Sequence, residues 1–433
     1  MEAAIRKKFT RYVSLNVLGM IAISCYILAD TYFISSVIGT LGIVALNLTL
    51  PFYNLIYGLG MMLGTGGGIR YSILRANNQI KEAQKVFTNT LILGFLISLI
   101  FVVVGLTLSK QITTLLGATG TVEVYASSYF RIFMSFAPLF IISEILLSFV
   151  RNNGAPRRAM TAMIVGSLMN VIMDYIFLVI LDMGMAGAAY ATILSPAISI
   201  FIYLPFILSK KNNLKVTKLR LSLKSLLDVS HLGLTVFINE FGFGLVMLIF
   251  NSRIMYLNGD MGVAAFGIVT NISIVINAIF TGIATGMQPI LSTAYGKDNK
   301  KHMRSILKLG IIVTFFTFVL FYTVTTVFSE QIINIFNSDG SEELLKLATV
   351  GFYIYFSAYL FNSMNTIIGQ YFAAINQAKL GFVISILHAG VIIIPLLFLF
   401  SYFWGITGVW LSFVVAEFII FAVSTILLVR HHA

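Results

Sequence analysis

Twelve apolar runs, each long enough to cross a bilayer, follow one another at about 12–37, 42–69, 86–109, 123–150, 159–181, 187–208, 225–257, 262–291, 305–328, 344–372, 380–400 and 405–429. A helix needs roughly 20 apolar residues to cross hydrocarbon, and helices and closed barrels alone satisfy their backbone polar groups there. The sequence therefore predicts an all-α polytopic membrane protein with twelve transmembrane helices. Composition agrees: 58% of the 433 residues are apolar and 10% charged, whereas soluble domains are about a quarter charged. Cys25 is the single cysteine, so no intrachain disulfide forms, and it reads as a small apolar side chain of the first span. The stretch M-E-A-A-I-R-K-K-F-T-R resembles the basic region of a signal peptide. The apolar segment after it is too long and lacks a small-residue cleavage site, so an uncleaved first span is expected.

The net charge of +12 raises nucleic acid as a partner, but its distribution argues otherwise. Counted from a cytoplasmic N-terminus, 24 of the 28 Lys and Arg residues fall in the two ends and the even-numbered loops; Lys110, Arg131, Arg253 and Lys346 fall elsewhere. This positive-inside bias predicts an integral membrane protein with both termini cytoplasmic. No nucleic acid is expected as a partner, and Arg131 and Arg253 are expected to snorkel to the outer interface.

The basic stretch 209–224, S-K-K-N-N-L-K-V-T-K-L-R-L-S-L-K, divides two groups of six spans, 1–208 and 225–433. At an offset of 220, Gly39-Thr-Leu-Gly-Ile-Val-Ala45 lies over Gly259-Asp-Met-Gly-Val-Ala-Ala265, and Thr65-Gly66 over Thr285-Gly286. At 221, Met183-Gly-Met-Ala-Gly187 lies over Trp404-Gly-Ile-Thr-Gly408. Six spans per half make these parallel repeats, two pseudo-symmetric lobes with a substrate path expected between them. No G-x-x-x-x-G-K-[ST] or H-E-x-x-H motif occurs, so no cofactor is expected and an ion gradient or a partner must supply the drive.

Polar groups inside the spans narrow the function. The run Ala159–Leu181 carries Asn170 and Asp174 four residues apart, one turn apart on one helix face. Ionisable groups in hydrocarbon usually mark ion or substrate pathways; the plain alternative is a hydrogen bond to a neighbouring helix. At 1.5 Å per residue, Asp30 and Asp174 lie about 28 and 24 Å from the basic ends of their spans, with Thr192 at similar depth. Two carboxylates, an Asn carbonyl and a Thr hydroxyl suit a proton or a hard cation such as Na+. The second half does not repeat them, since Asp30 falls on Phe250 and Asp174 on Pro395 or Leu396.

Glu240, midway along the seventh span, is a candidate for attracting a cationic substrate, whereas Glu144 and Glu417 read as structural. Gly58, Gly60, Gly64, Gly66, Gly67 and Gly68 follow no strand and read as close helix packing rather than a phosphate loop. Most of the aromatic and Met side chains are expected to face lipid or neighbouring helices. The five histidines are scattered, none near Asp174, which argues against an enzyme.

Asp30 in the first span, L-M-N-V-I-M-D-Y-I-F in the fifth, A-G-A-A-Y-A-T after it and R-N-N-G-A-P-R-R between the fourth and fifth resemble the multidrug and toxic compound extrusion (MATE) transporters over essentially the whole chain. The resemblance implies a V-shaped pair of bundles, a monomer among membrane lipids, exporting amphipathic, cationic small molecules for protons or sodium ions by alternating access. It implies cation coupling at Asp30, Asn170, Asp174 and Thr192, the cation site of the family's prokaryotic branch, and so a prokaryotic cell membrane; Glu240, with a structural hydrogen bond as its alternative, and Asn362 are the candidates on the substrate side. The first span lacks the proline at which some relatives bend, leaving Gly19 as the place for a bend. The tenth-span acid of another branch is absent, Asn362 and Asn365 being the nearest polar groups. A lipid-linked sugar or lipid flippase of the same superfamily is the alternative, for which a cavity richer in cations is expected.

Overall fold

The computed structural model describes residues 2–209, 212–217, 223–337 and 340–432. Among them every regular element is a helix. The first three spans are Glu2–Val37, Thr40–Ala76 and Ile80–Leu115. The fourth is a pair, Gly120–Ser135 and Ala137–Asn152, bent by 50° at Phe136. The fifth runs Pro156–Asp174 and continues as a π-helical turn over Tyr175–Ile180, and the sixth is Gly184–Ile207.

The seventh and eighth spans form one continuous run, Leu223–Gly296, broken at Gly259 with φ 58°. The ninth is Lys300–Val327, followed by a short helix, Ser329–Phe336, that the sequence did not single out. The tenth joins Glu342–Tyr355 to Tyr359–Ala374 through a 3-10 turn. The eleventh runs Ala378–Ile386 through a second π turn, Leu387–Val391, and on to a break at Trp404 and Gly405; beyond it lies the twelfth, which ends at His432. Twelve crossings result. An even number returns both ends of the chain to the face that carries the basic loops.

The duplication is written in the backbone. Residues in the left-handed region recur at offsets of 220 to 222, within a residue or two of the sequence repeat: Gly39 and Gly259, Asn78 and Asp298, Gly154 and Asn376, Gly184 and Gly405. Side chains are disfavoured at such φ, so glycine and asparagine or aspartate hold these turns. Each closes the same corner of the two lobes.

One buried apolar cluster gathers residues from Ile34 to Val229. A second gathers residues from Phe250 to Ile420 and takes in Phe9, Tyr12 and Val13 of the first span. The start of the first span thus leans on the second lobe. Lys210, Lys211, Lys218 and Arg220 of the basic linker lie outside the described residues, as does the side chain of Lys224. The linker's described part is tied down. Asn212 donates to the carbonyls of Phe206, Ile207 and Ser209, and Thr217 N donates to Thr88 Oγ1 at 3.0 Å.

The second-span glycines seat the lobes on each other. A Cβ at Gly66 would collide with the carbonyl of Val229 on the seventh span, and one at Gly233 with that of Met62. A Cβ at Gly64 would stand 2.7 Å from the Glu144 carbonyl. Small residues let helix backbones approach to van der Waals distance. Cys25 is exposed on the first span. Arg131 is also exposed. Arg253 departs from simple snorkelling: its Nε donates to Ser401 Oγ at 2.8 Å, with Tyr256 and Phe398 packed on the guanidinium.

Candidate functional site

The first span packs lengthwise on the fifth, Gly19 taking the side chain of Met163. It is one unbroken helix through Gly19, so the bend envisaged there is not made in this conformation. This packing brings the carboxyl groups of Asp30 and Asp174 within hydrogen-bonding reach. Asp174, Asn170 and Thr192 are buried, and Asp30 nearly so. Apart from each other, Asp30 Oδ1, both Asp174 oxygens and both polar atoms of Asn170 have no hydrogen-bond partner among the described residues. Carboxylates only accept. Two meeting at a buried site therefore call for a shared proton or a bridging cation.

Thr192 spends its hydrogen on the Ala188 carbonyl at 2.9 Å, leaving its oxygen as an acceptor beside the Tyr129 hydroxyl. The donor set is all oxygen, which fits a proton or a monovalent hard cation. Among the described residues no three His, Cys, Asp or Glu side chains gather as a metal site, so a several-carboxylate divalent centre is not built here. Asp174 stands at the lip of the π turn that begins at Tyr175. Such turns free backbone geometry locally and recur at functional sites.

Next to this pair lies an aromatic wall. Tyr26 and Tyr53 hydroxyls bond at 3.0 Å, and Tyr53 stacks on Tyr57 at 6.0 Å. Tyr53 lies within electrostatic range of Asp30, Glu144 and Glu240. Glu240, on the seventh span, packs over Gly58 of the second. Glu144, on the fourth, lines a cavity of about 320 Å³ with Tyr57, Met61, Arg151 and Thr285, residues drawn from both lobes. Glu144 thus faces the space between the lobes, and Glu240 from the opposite lobe lies within electrostatic range of it. Asn362 lies elsewhere, inside the second lobe, where it donates to Glu417 Oε1 at 3.3 Å.

Toward the basic face the cleft is closed by polar contacts. Asn16 of the first span donates to Gly282 O at 2.8 Å and Thr285 Oγ1 at 2.7 Å on the eighth, and buried Arg151 donates to Asn16 Oδ1 at 2.7 Å. Asn152 and Gln288 exchange amide bonds of 3.1 and 3.2 Å across the lobes.

The family model MatE matches residues 17–176 and 236–399. The chain belongs to the MATE family. It is 26% identical over 404 residues to the multidrug export protein MepA of Staphylococcus saprophyticus, covering 92% of this chain and 88% of that protein, and equally so to MepA of Staphylococcus aureus. In fold it is similar to a multidrug resistance MATE family transporter solved in an outward-facing conformation, at TM-score 0.92 and 22% identity over 98% of this chain and 94% of that one. A MOP superfamily transporter from Pyrococcus furiosus, described as having a binding pocket of reversed polarity, superposes at TM-score 0.91 with the same identity and coverage.

In this MATE chain the sequence picked out Asp30, Asn170, Asp174, Thr192 and Glu240 but not Tyr129, Tyr53 or Arg151, nor the lining position of Glu144. Tyr129 and Tyr53 are two of 19 tyrosines with no distinguishing spacing. Arg151 reads as one more basic loop residue. Only its burial and its bond to Asn16 set it apart.

Proposed function

We propose that this MATE transporter is a secondary active exporter of amphipathic, cationic small molecules, driven by protons or sodium ions entering at Asp30 and Asp174. The observation that carries this reading is the meeting of those two buried carboxyl groups, which demands a positive charge between them. Asn170 and Thr192 supply further oxygens to that charge. The substrate is placed between the lobes, where Glu144 and Glu240 offer negative charge and Tyr53, Tyr57 and Met61 offer polarisable walls for an organic cation.

Tyr53 lies within electrostatic range of both groups of carboxylates, which supports coupling between the ion site and the cleft. Closure by Asn16, Arg151, Asn152 and Gln288 then belongs to the state whose cleft is shut at the cytoplasmic face. Alternating access requires those bonds to break. Two carboxylates, Glu144 and Glu240, against the single guanidinium of Arg151 support cation export over the flippase reading, which calls for a cationic cavity to hold an anionic lipid headgroup. The test is efflux of a cationic dye from proteoliposomes with a pH gradient or a sodium gradient imposed one at a time. Efflux that follows neither gradient would remove the ion-coupled reading.

A further inference from the structure

Inside the second lobe, apart from the Asp30–Asp174 pair, a carboxylate is held by two amide donors of the tenth span and approached by an imidazole of the eleventh. Glu417 on the twelfth span is 1% exposed. Its Oε1 takes the amide of Asn362 at 3.3 Å and stands 2.8 Å from His388 Nδ1, and its Oε2 takes the amide of Asn365 at 2.9 Å. A carboxylate cannot donate, so Nδ1 carries the hydrogen and Nε2 is the basic nitrogen of the imidazole. His388 also lines a cavity of about 410 Å³ together with Asn362, Asn277, Tyr355 and Tyr359. Asn362 Oδ1 and Asn365 Oδ1 are buried and have no hydrogen-bond partner among the described residues.

The backbone is broken at the same place. His388 lies within the π turn Leu387–Val391, and Gly390 in that turn has φ 134°. In the first lobe Asp174 borders the π turn of the fifth span, the repeat equivalent of the eleventh. Each lobe therefore sets an ionisable side chain at a π turn of the same span, with different chemistry: a carboxyl pair in one, an imidazole and a carboxylate in the other.

We propose that His388 and Glu417 form a proton-binding site belonging to the second lobe, distinct from the carboxyl pair of the first. A proton taken up at Nε2 turns a dyad of net charge −1 into a neutral imidazolium–carboxylate pair. Burying an unbalanced charge is costly, whereas a hydrogen-bonded pair offsets much of that cost. Protonation therefore favours close packing of the tenth, eleventh and twelfth spans around Glu417, and proton loss favours water or a cation beside it. Glu417 is the charged group within electrostatic range of His388. The tenth span adds the titratable Tyr355 and Tyr359, both near Glu417. The seventh and eighth spans give the cavity Phe243, Phe250 and Asn277, with no titratable group. Imidazole titrates near neutral pH and takes a proton rather than an alkali ion, so the ligand of this site is the proton. The proposal does not depend on what the chain exports.

The test is NMR of the full-length protein in sodium-free detergent, labelled with ¹⁵N in the histidine rings. Replacing His231, His302, His431 and His432 by Gln leaves His388 as the single signal, and His388→Gln in the otherwise native chain identifies it independently. We expect that signal to pass between neutral and protonated forms between pH 5 and 9. Glu417→Gln should move the midpoint by at least about one pH unit, about tenfold in proton affinity, and Asp30→Asn should leave it in place. A His388 fixed in one protonation state across the range overturns the site. So does a midpoint unmoved by Glu417→Gln, or one that follows sodium concentration. The titration in the His388-only protein stands even if Glu417→Gln fails to fold.

Discussion

At the scale of single residues, coupling turns on what positive charge sits between Asp30 and Asp174. Replacing either by Asn removes one carboxylate and leaves an amide, which is cheaper to bury than a charge. Asp30→Asn and Asp174→Asn should each abolish gradient-driven efflux while expression stays near normal; a variant that pumps at the wild-type rate clears its residue of coupling. Glu240→Gln and Glu144→Gln act on the other ligand. A hydrogen bond or ion contact to a charged group is worth about 1.5–3 kcal/mol, so each change should weaken binding of a cationic dye by about tenfold or more. An uncharged analogue of the dye should lose little. Equal losses for both compounds would mean that the two glutamates shape the cleft rather than attract charge. The sequence made Asp30, Asn170 and Asp174 conspicuous because charge in an apolar run is rare, and their depths, counted along two separate helices, nearly coincided. It treated Glu144 as structural because rotation about a helix axis is not legible without neighbours. The partnership of His388 with Glu417 was hidden for the same reason. Two residues on successive spans meet only if their faces turn toward each other, and periodicity is silent in helices that are apolar all round.

At the scale of elements, the repeat was legible as glycine spacing, and its cause is conformational. Gly39 and Gly259, or Gly184 and Gly405, sit at φ between 54° and 82°, where other side chains are strained, so turn chemistry preserved what the helices let drift. The two π turns were not legible in the apolar pattern, whereas the bend at Phe136 has its mark in Pro138, at the start of the second helix of that pair. The packing of the lobes at the basic face gives an element-scale prediction. Asn16 makes two bonds across the lobes, and a buried hydrogen bond contributes about 1 kcal/mol. Asn16→Ala should therefore shift the lobe equilibrium by about 2 kcal/mol, roughly thirtyfold, toward opening at that face. A cysteine at Thr65, which lines the cleft, in the Cys25→Ser background should then label faster from the cytoplasmic side. An unchanged labelling rate would show that Asn16 does not hold the closure.

At the scale of the whole molecule, orientation in the membrane and the linkage of the two ligands are the claims at stake. Asn212 is buried by its bonds to the end of the sixth span, whereas Lys215 is exposed. Lys215→Cys in the Cys25→Ser background should accordingly react with an impermeant thiol reagent from the cytoplasmic side alone. Labelling from outside in intact cells would invert the topology. Linkage follows from charge. A proton or sodium ion at Asp30 and Asp174 lowers the negative charge that Tyr53 stands beside, and a cation in the cleft prefers the empty, ionised state. A ligand shifts an equilibrium by its differential affinity for the two states, and each ligand must weaken the other by the same factor. The direct measurement is an equilibrium titration of a cationic dye against the purified protein from pH 5 to 9, with and without sodium. Dye affinity should rise with pH and fall with sodium, and Asp174→Asn should abolish the dependence arising in the first lobe. An affinity flat in both variables, or a dependence fully retained in Asp174→Asn, would contradict the account.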